Sequence, residues 1–217
     1  MATKRAEKTL ATRRRMVRAA YEQFCANGYA GTTIAAVAAA AGVAVPTIYY
    51  TFGTKASLLD AALGGAIVGF ERWRPAPPDL DEIETILPWH PWWTDFDTAE
   101  TSAAAFDVFL ANGASILERV APMVAALHGT AGDPEASEVA RLAEERRVDS
   151  YREVLRRVAR LDGGLGPGMS VAKATDITTV LFSAELYQAL RVGRGWSARR
   201  CRAFLHDLLV TEVLGGR

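Results

Sequence analysis

The chain has 217 residues, half of them hydrophobic, so it can bury a sizeable core. Its 25 basic and 25 acidic side chains cancel, yet residues 1–55 hold eight Lys or Arg against two acids and the other 162 hold 17 against 23. No apolar stretch reads as the roughly 20 residues that cross a bilayer, and no apolar run follows the basic N-terminus as in a signal peptide, which points to a cytoplasmic protein.

Taken in chain order, the elements predicted are helices. Met16, Val17, Ala20 and Phe24 fall on one face of a first helix, about 10–27, that stops at Asn27-Gly28. The charges before it (Lys4, Arg5, Lys8 and Arg13 to Arg15) read as a flexible basic arm. Thr32-Thr33 supplies cap hydroxyls for a short alanine-rich helix, 34–41. Gly42 breaks it, and Pro46 suits the first turn of a third helix, 45–52. Two short helices about a glycine turn make a helix-turn-helix.

Thr54-Lys55 opens a fourth helix, predicted to run to about Trp73, where prolines end it. The stretch 75–98 is irregular, with five prolines and an aromatic group around Trp89 to Phe96. Helices resume at about 99–119, 121–128, 134–161, 170–191 and 197–214. Period-2 alternation and hairpin turns are missing, so the fold expected is all-α: a three-helix DNA-binding domain, residues 1–55, then a helical domain, residues 56–217. Cys25 and Cys201 have apolar neighbours at helical spacing and read as buried small side chains rather than a bridge.

The segment Met16-Val17, Phe24, Gly28-Tyr29, Thr32-Thr33-Ile34, Val37-Ala38, Ala41-Gly42-Val43, Thr47-Ile48-Tyr49-Tyr50-Thr51-Phe52, Lys55 and Leu58-Leu59 resembles the N-terminal domain of the TetR family of transcriptional regulators. The resemblance implies that the helix 45–52 enters the major groove of DNA, with Val45, Pro46, Thr47 and Tyr49 toward base edges. It assigns Thr33, Thr47, Tyr50, Thr51 and Lys55 to phosphates, and Ile48 and Phe52 to the packing against Phe24, Val37 and Ala41. Arg14 and Arg15 join the arm on the DNA backbone. Ala35, Ala36 and Ala44 stand where relatives often have polar residues, so base readout should rest on hydroxyls and methyl contacts.

For the second domain the resemblance implies dimerisation and binding of a small apolar or aromatic effector. Trp73, Trp89, Trp92, Trp93, Phe96, Phe106, Phe109 and Tyr187 are the candidate pocket, with His90, Asp97 or Glu100 as further polar contacts. Leu181, Phe182, Phe204, Leu208 and Leu209 are the candidate dimer interface. Together these imply a ligand-responsive repressor that binds a near-palindromic operator as a homodimer, with no cofactor or metal. An activating or ligand-independent regulator, and a nonspecific architectural DNA-binding protein, stay open as alternatives. No catalytic or metal-binding spacing is found around His90, His128 or His206, which argues against an enzyme.

Overall fold

Helical periodicity is realised nearly throughout. The computed structural model describes residues 2–75 and 87–216, and among these no strand occurs, only an isolated bridge between Thr101 and Asp162. In chain order the helices are α1 (Ala2–Gly31), α2 (Ile34–Ala41), α3 (Val45–Phe52), α4 (Lys55–Val68), α5 (Trp93–Asp97), α6 (Ser102–Val120), α7 (Val124–His128), α8 (Pro134–Val158), α9 (Val171–Leu181), α10 (Ala184–Gln188) and α11 (Ala198–Leu214).

Contacts divide the chain into two units: Met1–Ala76 with Pro122–Ala143, and Pro77–Ala121 with Glu144–Arg217. The boundary expected at residue 55 is therefore displaced, because α4 and α7 both pack on α1. Composition marks where charge changes, whereas the unit is set by which faces are buried together.

In the first unit, the segment expected to be a flexible arm is the opening of α1. The hydroxyls of Thr9 and Thr12 donate to the carbonyls of Arg5 and Lys8, four residues back, as in any regular helix. Gly28 (φ 67°, ψ 178°) breaks the helix where the sequence suggests, since a side chain there would strain the left-handed backbone. Thr32 closes the turn, its buried hydroxyl 2.7 Å from the Gly28 carbonyl oxygen and 3.0 Å from that of Gln23. Met16, Val17, Ala20 and Phe24 are buried, as are Val37, Ala38 and Ala41 of α2, Ile48 of α3, and Leu58, Leu59 and Ala62 of α4.

Helix α4 stops at Gly69, short of the expected end near residue 73, and the chain turns back there. The turn seats Trp73 in a cluster with Val17 and Ala61, against which Phe52, Val68 and Phe70 pack. Phe52 thus packs on this cluster, a partner set the sequence did not suggest. Trp73, a candidate pocket residue, belongs to the core of the first unit and not with the aromatics of the second.

In the second unit, Trp92, Trp93, Phe96, Phe106, Phe109, Tyr151 and Phe182 form one aromatic cluster with ring centroids 5.3–6.3 Å apart. The helix expected over 170–191 is broken at Phe182. Its carbonyl accepts from the Tyr151 hydroxyl at 2.8 Å and from Arg147 at 3.4 Å, and Ser183 caps α10 by accepting from the amide of Leu186. Phe182 and Leu209, expected at a dimer interface, are buried in this unit's own core, while Phe204, Val180 and Val192 are exposed and Leu181 and Leu208 are half-buried. Contrary to the sequence reading, Ser102–His128 is by length and composition apolar enough to span a membrane. Its Phe106, Phe109, Leu110, Leu117 and Met123 are buried in the fold, so core packing accounts for part of that composition. Both cysteines are free, and burial pushes the Cys25 thiol up to about 11.

Candidate nucleic-acid interface

The candidate interface comprises three helix starts. At the first, Thr33 has extended backbone angles and its hydroxyl oxygen accepts from the amide of Ala36 at 3.1 Å, which satisfies one of the unpaired amides of α2. The Thr33 hydroxyl proton is left free to donate outward. At the far end of α2, Gly42 is left-handed (φ 64°, ψ 42°), and the amide of Val43 returns to the carbonyl of Ala38 at 3.0 Å. This glycine-ended stop turns the chain so that α3 lies at 102° to α2.

Helix α3 is anchored by one side and open on the other. Ile48 is 1 % exposed, and its burial contributes about 1.5–3 kcal/mol, which holds an eight-residue helix too short to persist alone. Tyr49 and Tyr50, one and two positions on, are 51 % and 93 % exposed. Neither is a core aromatic. Val45 and Pro46 are exposed at the leading end, where Ala44 makes no side-chain cap and the amide of Thr47 bonds back to the Ala44 carbonyl at 2.9 Å.

The third start is that of α4. Thr54 caps it by accepting from the amide of Ser57 at 3.0 Å, and its own hydroxyl donates to Glu135 at 2.7 Å. The ammonium of Lys55 lies 4.3 Å from the ring centroid of Tyr29, a cation held on a ring face. The Tyr29 hydroxyl donates to Asp133 at 2.6 Å, and the other oxygen of Asp133 caps α8 by accepting from the amides of Glu135 and Ala136. The bonds from Tyr29 and from these amides hold the Asp133 carboxyl below its usual range. Burial raises the Tyr29 hydroxyl above its ordinary value, and the bond to Asp133 raises it further. Burial lowers the Lys55 ammonium, against the pull of Asp133.

Thr33, Val45, Pro46, Tyr49 and Tyr50 are therefore exposed along one continuous segment, with Thr47 and Lys55 half-buried beside them. Two expected contacts are committed elsewhere. The Thr51 hydroxyl donates to the Thr47 carbonyl at 2.8 Å, and the Nε of Arg14 donates to the Trp73 carbonyl at 2.9 Å, whereas Arg15 is exposed. Tyr29, Thr54, Asp133 and Glu135 were not singled out as site residues from the sequence. Asp133-Pro134, a capping acid before a first-turn proline, is the local signal that marks the start of α8.

Residues 16–62, spanning the end of the basic segment through most of α4, match the family described as bacterial regulatory proteins, tetR family. Residues 16–62 are thus a DNA-binding domain of the tetR family. A domain of this kind marks a transcriptional regulator rather than an enzyme. No curated protein matches its sequence. Among solved structures it is similar to the transcriptional regulator FadR from Bacillus subtilis, solved in complex with stearoyl-CoA, at 17 % identity and a TM-score of 0.67 over 91 % of this chain and 97 % of that one. It is also similar to NalD of Pseudomonas aeruginosa, the secondary repressor of the MexAB-OprM multidrug efflux pump, at 20 % identity and a TM-score of 0.65 over 94 % and 98 % of the two chains. At these identities the likeness is one of fold.

The candidate pocket residues of the second unit are placed together but filled by one another. Trp92, Trp93, Phe96, Phe106 and Phe109 are buried in the aromatic cluster, and the side chain of Trp89 lies outside the described residues. Asp97 is engaged by Arg157 at 2.6 Å, which also stacks 4.6 Å from the Trp93 ring centroid. Tyr187 is buried in the same unit with its hydroxyl unbonded.

Proposed function

We propose that this regulator is a ligand-responsive repressor that binds a near-palindromic operator as a homodimer. The observation that carries the DNA-binding part is α3 itself: Ile48 is locked into the core while Tyr49 and Tyr50 stand in solvent on a helix set across α2. A helix so anchored can enter the major groove without rearranging. Val45 and Pro46 offer only apolar contact, as to a thymine methyl, and Thr33, Thr47, Tyr50, Lys55 and Arg15 supply donors for phosphates.

Two further observations support the finer reading. Val180, Val192 and Phe204 are large apolar side chains left exposed on the C-terminal unit, material for a two-fold contact that would space two reading helices about 34–36 Å apart. The buried side-chain polar atoms that lack a partner among the described residues, the indole N–H of Trp92 and the hydroxyls of Thr178, Thr179 and Tyr187, all fall in that same unit. Each such group left unmet costs about 1–3 kcal/mol, which an effector with an acceptor group amid apolar surroundings would recover. FadR, solved with stearoyl-CoA, makes acyl thioesters the first class to try.

Selection of bound duplexes from a random pool tests the reading. Enrichment of an inverted repeat with half-sites one turn apart supports it, and recovery of no preferred sequence refutes it. Release of the enriched duplex by an acyl-CoA or an aromatic effector, followed by fluorescence anisotropy, tests ligand response.

A further inference from the structure

We propose that Asp133 is a positioning residue for DNA binding, acting through Tyr29 to hold the Lys55 ammonium where it meets a phosphate. The proposal rests on Lys55 being a phosphate contact, and adds to it a part of the chain that lies well outside the helix-turn-helix. Tyr29 and Asp133 are 104 positions apart, yet their hydroxyl and carboxylate are bonded at 2.6 Å. The Tyr29 ring in turn carries the Lys55 ammonium at 4.3 Å.

The chemistry runs in one direction along this chain. A carboxylate accepting from a phenol draws the proton toward itself and leaves more electron density on the ring, which strengthens the hold of the ring face on a cation. Lysine is otherwise a flexible four-carbon stem that loses side-chain entropy when it docks. Seated on a fixed ring it has lost part of that freedom beforehand. Among the described residues no carboxylate forms an ion pair with Lys55, and Asp133 acts on its charge only from beyond that distance. Asp133 is itself fixed, because its second oxygen caps α8, and the adjoining Glu135 accepts from Thr54, the cap of the helix that Lys55 begins. Segment 133–135 therefore bonds directly to Thr54 at the start of α4 and reaches Lys55 through the Tyr29 ring.

The test uses the full chain and a duplex enriched from a random pool by the wild-type protein, with affinity measured across a salt series. Lys55→Ala should weaken binding and reduce the salt slope by about 0.9, the signature of one lost phosphate contact. Tyr29→Phe keeps the ring and every charge but removes the bond to Asp133, and should cost about threefold in affinity. In the Lys55→Ala background it should cost nothing further. Asp133→Ser keeps a helix cap while removing the link, and should weaken binding as Tyr29→Phe does even though a negative charge is gone. An equal Tyr29→Phe effect with and without Lys55, or no effect at all, overturns the proposal. So does tighter binding by Asp133→Ser, which would make the carboxylate a mere repellent of DNA. An unchanged affinity and slope in Lys55→Ala would instead refute the phosphate contact on which the proposal stands.

Discussion

Gly113→Ala exchanges the residue least suited to a helix interior for the one best suited, and the structure predicts that it destabilises the protein. In an ordinary position on α6 the exchange would gain about 0.5–1 kcal/mol. At position 113 the added methyl would overlap Cε1 of Phe182 and stand 2.9 Å from its Cζ. Apolar carbons rest at about 3.5–4.0 Å, so ring and helix must part by more than ~1 Å. Phe182 has little room to yield, since it is buried among Phe109 and Tyr151 and its carbonyl is held by Tyr151 and Arg147. Overpacking of this kind costs about 1–3 kcal/mol, and with the ring pinned the upper part of that range applies. The net is a loss of about 2 kcal/mol, or a fall in Tm of about 4–8 °C for a chain of this size. Thermal unfolding followed by tryptophan fluorescence reads it directly, because Trp92 and Trp93 are in the same cluster. A rise in Tm would show that Phe182 moves freely and that the cluster is not close-packed as described.

Tyr49→Ala and Tyr50→Ala should each weaken binding to an enriched duplex, on the order of tenfold, while leaving Tm unchanged, since both side chains are solvent-exposed. An unchanged affinity in anisotropy titrations would remove that tyrosine from the interface. Thr54→Ala removes a helix cap and the bond to Glu135 and should cost about 1 kcal/mol in denaturant unfolding, whereas Thr54→Ser should restore it. His206 gives a pH test. Burial pulls its pKa down, but bonds with Asp107 on α6 and Asp207 outweigh that and carry it above the ordinary value of 6.5. Its stabilising contribution is therefore complete below pH 6.5 and lost as pH rises through the raised folded value. Thermal unfolding across that window should show the loss, reduced by partial exposure, and His206→Gln should flatten it.

The parts of this fold legible in the sequence are those governed by near neighbours. The Thr33 cap, the Gly42 stop, and the alternation of buried Ile48 with exposed Tyr49 and Tyr50 each depend on residues within one or two helical turns. Resemblance to the family then suggests what the two short helices do together. The parts that escaped depend on residues far apart. Nothing near Tyr29 signals that Asp133 will bond to it, and nothing near Trp73 signals that the chain turns back at Gly69 to seat it beside Val17. The exposed basic residues before Arg13 look like a solvated tail by charge, yet alanine, lysine and arginine are good helix formers, and propensity prevailed. Phe182 and Leu209 read as interface by sequence yet lie in their own unit's core, for a related reason. Apolar residues on C-terminal helices read equally as interface or core, and only the neighbours settle which.

The leading end of α3 is poor in donors. Ala44 brings no side-chain oxygen, Pro46 no amide hydrogen, and the amide of Thr47 is spent on the chain itself. The starts of α2 and α4, by contrast, carry threonines with Lys55 close by. On the proposed reading, choosing falls to the leading end of α3 and holding to the rest of the same small domain. On that reading residues 45–47 could be exchanged over generations, shifting the preferred operator from one sequence to another, while the strength of attachment stayed with Tyr49, Tyr50 and the flanking helix starts. A domain divided in this way can be duplicated and retargeted by a few substitutions at one exposed turn, without rebuilding the scaffold that Ile48 and Phe24 secure beneath it.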